Sequence, residues 1–266
     1  MSFNKTYASL LFLVFGLIFA GVSAQNIEEP DDLVTDRPDQ TESSISVPLH
    51  TLQIETGFTY TYNSQQLNTE KEVNYGDTLL RFGIFEGMEL RMAMDYSTVK
   101  TYVTDFPAIA VMQQGVSPTT LGAKINLTEQ KGWIPEMALL VHVQTSLFNT
   151  DFSTDYAVPQ LIFVASHTLS SKFSLGYNLG IEWTDNDAAP AKIYSLVAGI
   201  GLAERIGIFA ETFGNFGDGE FVNMVDGGFT FLILPNLQYD ISGGIGVTSS
   251  SPDFFIGTGL SYRLPH

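Results

Sequence analysis

Residues 88–96 read Met88-Glu89-Leu90-Arg91-Met92-Ala93-Met94-Asp95-Tyr96. In an extended chain Met88, Leu90, Met92, Met94 and Tyr96 fall on one side and Glu89, Arg91, Ala93 and Asp95 on the other. A strict period of two marks a strand lying between two unlike environments. What those environments are decides the fold.

The same alternation extends in both directions. Leu52, Ile54, Phe58, Tyr60 and Tyr62 oppose Gln53, Glu55, Gly57, Thr59 and Thr61. Met137, Leu139, Val141 and Val143 oppose Glu136, Ala138, His142 and Gln144. Leu175, Tyr177, Leu179, Ile181 and Trp183 oppose Ser174, Gly176, Asn178, Gly180 and Glu182, and Tyr239, Ile241 and Ile245 oppose Gln238, Asp240, Ser242 and Gly244. Phe254, Ile256, Leu260 and Tyr262 close the series against Gly257, Gly259, Ser261 and Arg263. Weaker versions occupy 77–84, 119–127, 158–169, 192–202, 206–214 and 223–234, giving about 12 strands of about 10 residues. No stretch reads as an amphipathic helix. Connections alternate between very short (Phe85-Glu86-Gly87, Ser170-Ser171-Lys172, Ala203-Glu204-Arg205, Pro235-Asn236) and longer, the latter including 63–72, 98–118 and 147–157. Membrane-spanning barrels have this asymmetry, with tight periplasmic turns and long outer loops.

A secreted sandwich or lipocalin-like barrel shares the alternation, but a water-facing sheet surface is rich in charge. Here the non-apolar face is mostly Gly, Ser, Thr, Asn and Gln. The apolar face is aliphatic in the middle and aromatic near the strand ends (Tyr60, Tyr62, Tyr96, Phe173, Trp183, Phe254, Tyr262), as a lipid-facing band with aromatic girdles requires. Beyond the N-terminus no apolar run approaches the length of a membrane helix, so residence in a bilayer demands closure of the sheet. The expected fold is all-β, an antiparallel transmembrane β-barrel of about 12 strands with short periplasmic turns and longer outer loops.

Composition excludes several function classes. The chain of 266 residues has 29 Asp+Glu against 12 Lys+Arg and a net charge of −17, so a basic nucleic-acid-binding surface is absent. With no Cys there is no disulfide, thiolate metal site or thiol nucleophile. Twenty Phe and 11 Tyr are foreign to a disordered acidic chain. Lys5, the apolar run Leu10 to Val22 and the small residues Val22-Ser23-Ala24 form an export signal expected to be cleaved after residue 24. Residues 25–50 are read as an irregular acidic segment, periplasmic or docked in the lumen, and 51–266 as the barrel.

The face opposite the lipid supplies the candidate lumen residues Glu55, Asp77, Arg81, Glu89, Arg91, Asp95, Lys124, Glu136, His142, Glu182, Glu211, Asp226, Asp240 and Arg263. Opposite charges two or four apart share a face (Asp77 with Arg81, Glu89 with Arg91 and Asp95), which fits either a solute-selecting conduit or an ion-pair network filling the lumen. Leu90, Met92, Leu139, Val141, Leu179 and Ile241 are the mid-strand candidates for the lipid face. Catalysis by His142 and Ser146 is not expected, because residues four apart on a strand are separated by about 13 Å. Asp31, Asp32, Asp36, Asp39 and Glu42 lack the spacing of an EF-hand, and no metal or cofactor is expected.

Thr35-Asp36-Arg37-Pro38-Asp39-Gln40-Thr41-Glu42-Ser43, followed by Leu52-Gln53-Ile54-Glu55-Thr56-Gly57-Phe58, together with Leu237-Gln238-Tyr239-Asp240 and the ending Gly257-Thr258-Gly259-Leu260-Ser261-Tyr262-Arg263-Leu264, resembles the outer-membrane transporter-like family labelled "putative MetA-pathway of phenol degradation". That resemblance implies passage of small, often aromatic or hydrophobic compounds and carries no residue-level site. The expectation is therefore a non-enzymatic outer-membrane channel. Its partners would be membrane lipids, the barrel-assembly machinery and an unidentified small solute. The alternatives are a plugged structural or adhesive barrel and, less favoured, a lipid-modifying enzyme. An acidic lumen would prefer cations or neutral solutes over anions.

Overall fold

A computed structural model of the chain describes residues 33–65, 67–103, 106–183 and 189–264; the expected export signal lies outside the described residues. Thirteen strands follow one another: β1 Leu52–Ser64, β2 Asn68–Phe85, β3 Met88–Val103, β4 Phe106–Val116, β5 Thr119–Thr128, β6 Glu136–Thr145, β7 Val158–Thr168, β8 Phe173–Glu182, β9 Ala191–Ala203, β10 Ile206–Gly217, β11 Glu220–Leu234, β12 Leu237–Gly246 and β13 Phe254–Arg263. Every strand pairs antiparallel with its neighbours, β1 with β13, and the pairing of β2 with β3 closes the ring. No helix occurs among the described residues.

β4 and β5 share one stave. The outer half of β3 pairs with β4 (Tyr96 opposite Val116) and its inner half with β5 (Ala93 opposite Thr120), so twelve staves complete the barrel. The break falls at Ser117-Pro118, where proline has no N–H to give the ladder. Ser117 keeps one bond across the gap, donating its N–H to the Asp95 carbonyl at 3.0 Å.

The tight turns at Glu86-Gly87, 169–172, Glu204-Arg205 and Pro235-Asn236 lie at one end of the barrel, the periplasmic end. At the other end the structure corrects two expectations. Most of segments 63–72 and 98–118 is strand rather than loop, namely residues 63–64, 68–72, 98–103 and 106–116. They continue β1, β2, β3 and β4 as a ribbon, β2 reaching 18 residues where a tilted membrane crossing needs about 9–11. Beyond the acyl layer both faces of a strand meet polar surroundings, headgroups or water, so Glu70-Lys71-Glu72 has no apolar side to announce it. One outer connection is also minimal: Asp218-Gly219, both with positive φ, makes the two-residue turn between β10 and β11. On β2 an extra residue bulges the strand opposite Asp95, and Gly76, with φ of 61°, takes the left-handed conformation the bulge demands.

The apolar face points outward. Leu90, Val141, Leu179 and Ile241 are exposed, and Met92 and Leu139 are half-buried. Phe58, Tyr75 and Tyr96 form an edge-packed row across β1, β2 and β3, and Tyr194, Phe216 and Phe221 a stacked group across β9, β10 and β11. The interior is not uniformly polar. Ala138, Leu140, Ile162 and Val164 form a buried apolar cluster on β6 and β7, with Ile193 of β9 packed against it.

Candidate functional site

Residues 33–50 carry no regular secondary structure apart from an isolated bridge from Leu49 to Gly83. Many of their backbone groups and side chains bond to inward-facing residues of the barrel. Glu55 on β1 accepts the N–H groups of Asp36 (2.9 Å) and Arg37 (3.0 Å), and Gln53 donates to the Val34 carbonyl at 2.8 Å. Glu89 on β3 accepts the Val47 N–H at 2.7 Å, and Arg81 on β2 donates to the Ile45 carbonyl at 2.7 Å. On the opposite wall Glu211 of β10 accepts the Gln40 N–H at 2.7 Å and the Thr41 hydroxyl. Thr41 and Ser195 of β9 share a hydrogen bond of 2.7 Å, and Ser44 and Ser166 of β7 one of 2.6 Å. In ring order β9 and β10 lie diametrically opposite β2 and β3. The chain from Asp36 to Thr41 therefore crosses the lumen, a span that five extended residues cover with about 17 Å.

Asp36 is the anchor. Its carboxylate lies 2.5 Å from Arg91 Nη1, 3.0 Å from Lys124 Nζ and 3.3 Å from Arg81 Nη1. Arg81 also meets Glu55 and Glu89 at 3.0 Å each, and Arg91 meets Glu89 at 2.8 Å and Glu42 at 2.6 Å. Burial alone would raise the Asp36 pKa, but Arg81, Lys124 and Arg91 outweigh it and hold the carboxyl well below the usual range. Burial pushes Glu42 up to about 7; Arg91 and Lys124 pull against that rise and Asp36 reinforces it. The two shifts are mutually consistent, since Asp36, Glu42, Glu55 and Glu89 surround the three cations Arg81, Arg91 and Lys124. Four carboxyls around three cations leave one carboxyl in excess, in line with the raised Glu42.

Arg37 runs the other way, 3.4 Å from both Asp77 of β2 and Asp240 of β12. It lies across Gly57 and Gly259, where an added Cβ would stand 2.3 Å and 2.5 Å from guanidinium nitrogens. Small residues in β1 and β13 thus make the room the arginine occupies.

The inward candidates are distributed as follows. Glu55, Arg81, Glu89, Arg91 and Lys124 meet in the Asp36 cluster. Buried Arg263 donates to Gln53 at 3.2 Å. Asp77 joins Arg37 rather than Arg81, and Asp95 accepts from the hydroxyls of Ser97 and Ser117 rather than joining Arg91. His142 is buried, its Nδ1 2.9 Å from Gln160, which in turn donates to Glu182 at 2.7 Å. Ser146 bonds to Thr154, so no Ser–His pair forms. Glu136 is half-buried near the periplasmic end. Asp226 stands opposite Glu211 in the β10–β11 register, and neither of its oxygens has a hydrogen-bond partner among the described residues. Docking of this segment in the lumen is one of the two readings of 25–50, but its gripping residues Asp36, Arg37, Gln40, Thr41, Glu42 and Ser44 are not among the lumen candidates. The motif that carried the family resemblance is the part that grips the barrel.

These features define a closed antiparallel barrel of the outer-membrane type, with a peptide strapped across its interior. The chain belongs to the family described as "Putative MetA-pathway of phenol degradation", whose model matches residues 35–264. Among solved structures it is similar to an outer membrane channel from Pseudomonas putida F1 (TM-score 0.65, 11% identity, covering 82% of this chain and 97% of that one). It is also similar to the KdgM porin (TM-score 0.52, 9% identity, 80% and 99% covered). A third likeness is to the translocator domain of the autotransporter NalP from Neisseria meningitidis (TM-score 0.52, 9% identity, 98% and 95% covered). No curated protein matches the chain.

Proposed function

We propose that this protein is an outer-membrane channel for small solutes, exported by a signal over residues 1–24, and that residues 33–50 constrict its resting lumen. The observation that carries this reading is the Asp36 anchor. A strap crossing the lumen and held by charge, rather than by an apolar core, can be released by changes in charge or field without unfolding the wall. Acidic groups outside the cluster, Asp95, Glu136 and Glu182, give the remaining conduit a negative lining that favours cations and neutral solutes. The family description supports small hydrophobic or aromatic compounds as the solutes. The inward cluster Ala138, Leu140, Ile162 and Val164, buried in this state, is the apolar part of the interior. Passage involves no covalent chemistry. Assembly requires the barrel-assembly machinery and a lipid annulus.

A second reading, a permanently plugged barrel that serves as an adhesive or structural surface, is favoured by the number of bonds the strap makes. Solute uptake by cells lacking the protein separates the two. Slower entry of aromatic compounds, with polar ones unaffected, is expected. Unchanged entry of both classes contradicts the channel reading.

A further inference from the structure

The register sorts every strand position onto one of two faces, and the outward face carries a charge pattern unlike that of the rest of the chain. Three formally charged side chains stand on it among the described strand residues, and all are lysines: Lys71 on β2, Lys100 on β3 and Lys192 on β9. No carboxylate shares that face, although the chain holds 29 Asp+Glu against 12 Lys+Arg. Glu70 and Glu72 flank Lys71 but alternate onto the inner side.

All three lysines lie at the outer end, just beyond an aromatic group. Tyr75 and Tyr96 are cross-strand partners in the row with Phe58, and four residues further out on the same two strands Lys71 pairs with Lys100. That step is about 13 Å along the strand. Tyr62 of β1 is the partner of Lys71 on its other side, and the Lys71 ammonium lies 5.2 Å from the centre of the Tyr102 ring. Lys192 repeats the arrangement as the partner of Phe216, which stacks on Phe221 beside Tyr194.

Two like charges directly opposite each other on a sheet are destabilising unless something lies between them. Neither Lys71 nor Lys100 makes an ion pair with a described carboxylate. Aromatic girdles mark the headgroup level of a membrane. An outward lysine pair just beyond the girdle therefore stands where the phosphate groups of the outer leaflet lie. We propose that Lys71 and Lys100, flanked by Tyr62 and Tyr102, bind the phosphate of a phosphorylated glycolipid in the outer leaflet. An anion between the two ammonium groups turns a repulsive pair into a bidentate site. The tyrosines flank that site, and Met112, the β4 partner of Lys100, is exposed beside it.

The test uses the full chain refolded into phosphatidylcholine vesicles with and without diphosphoryl lipid A. It compares wild type with the Lys71→Gln/Lys100→Gln double variant, both first shown to be heat-modifiable. Each lysine near an anionic surface contributes on the order of 1 kcal/mol, so the double variant should retain lipid A about 30-fold less tightly. Wild type should rise in unfolding temperature with lipid A and not with inorganic phosphate alone. Equal retention of lipid A by the variant would overturn the proposal. So would an equal shift on adding free phosphate, which would mark a nonspecific anion effect.

Discussion

Lys124 and Asp36, 88 residues apart in the chain, meet with Nζ 3.0 Å from Oδ2, both side chains buried. Taking two charges out of water is unfavourable unless each finds a partner. Lys124 has Asp36, and Asp36 has Lys124, Arg81 and Arg91, so the strap and the wall satisfy one another. Removing one member should be felt by both.

Asp36→Asn leaves Arg81, Arg91 and Lys124 facing one carboxylate fewer. Breaking a buried pair by deleting one partner costs about 3–5 kcal/mol. Because the barrel wall keeps its own hydrogen bonds, the loss should appear mainly as release of the strap. Protease cleavage within 33–50 is expected in the variant and not in wild type, while the barrel stays heat-modifiable. Equal resistance would show that Asp36 does not anchor the segment.

The docking of the strap should depend on pH through Glu42. Its pKa is raised in the folded state, to about 7, with Arg91, Lys124 and Asp36 facing it. A raised carboxyl contributes stability that is full below its unfolded value and is lost as pH rises through the folded one. Protection of residues 33–50 should therefore weaken from about pH 5 to pH 7. Glu42→Gln, which keeps the protonated shape, should flatten that dependence. A steeper dependence in Glu42→Gln would contradict the assignment.

On the lipid side, Leu179 is 60% exposed and Met92 half-buried on the same outward face. Arg at the bilayer midplane of a barrel costs about 2–4 kcal/mol. Leu179→Arg and Met92→Arg should each lower stability to urea in lipid vesicles by that order. Ala93→Ser, on the inward face, should change it little. Equal losses would mean that the two faces are exchanged.

Charge in the lumen sets selectivity. Glu55 and Glu89 are taken up by Arg81 and Arg91, and Asp240 by Arg37. Asp95 and Glu182 have no basic partner among the described residues, and their negative field remains, whereas Glu211 and Asp226, opposite each other, share a proton. Reversal potentials across a salt gradient should show cation preference, reduced in Asp95→Asn/Glu182→Gln. Anion preference in wild type would contradict the account.

The period-two stretch at 88–96 made the wall legible because one side meets lipid throughout the membrane crossing. The outer ribbon was illegible for the converse reason: at Glu70-Lys71-Glu72 and Thr98 to Thr101 both faces meet polar surroundings, headgroups or water, and alternation fades. Leu139-Leu140-Val141 hid an inward apolar residue within an apolar run, so Leu140 carried no sign of its burial inside. Arg81, Arg91 and Lys124 could be placed on the inner face by parity. Their partner Asp36 could not, since an irregular segment has no period and its docking follows from charge complementarity across dozens of residues.

The central claim is that residues 33–50 control passage through the lumen. Thr41 Oγ1 and Ser195 Oγ lie 2.7 Å apart in a chain with no native cysteine, so Thr41→Cys with Ser195→Cys gives a reversible tether between strap and wall. Single-channel recording in planar bilayers, before and after reduction of that bond, is the most direct measurement. The account predicts silence or a small residual current when the pair is oxidised and discrete, larger openings on reduction, matching wild type. The same open current in both states, or silence in both the reduced variant and wild type, would contradict it.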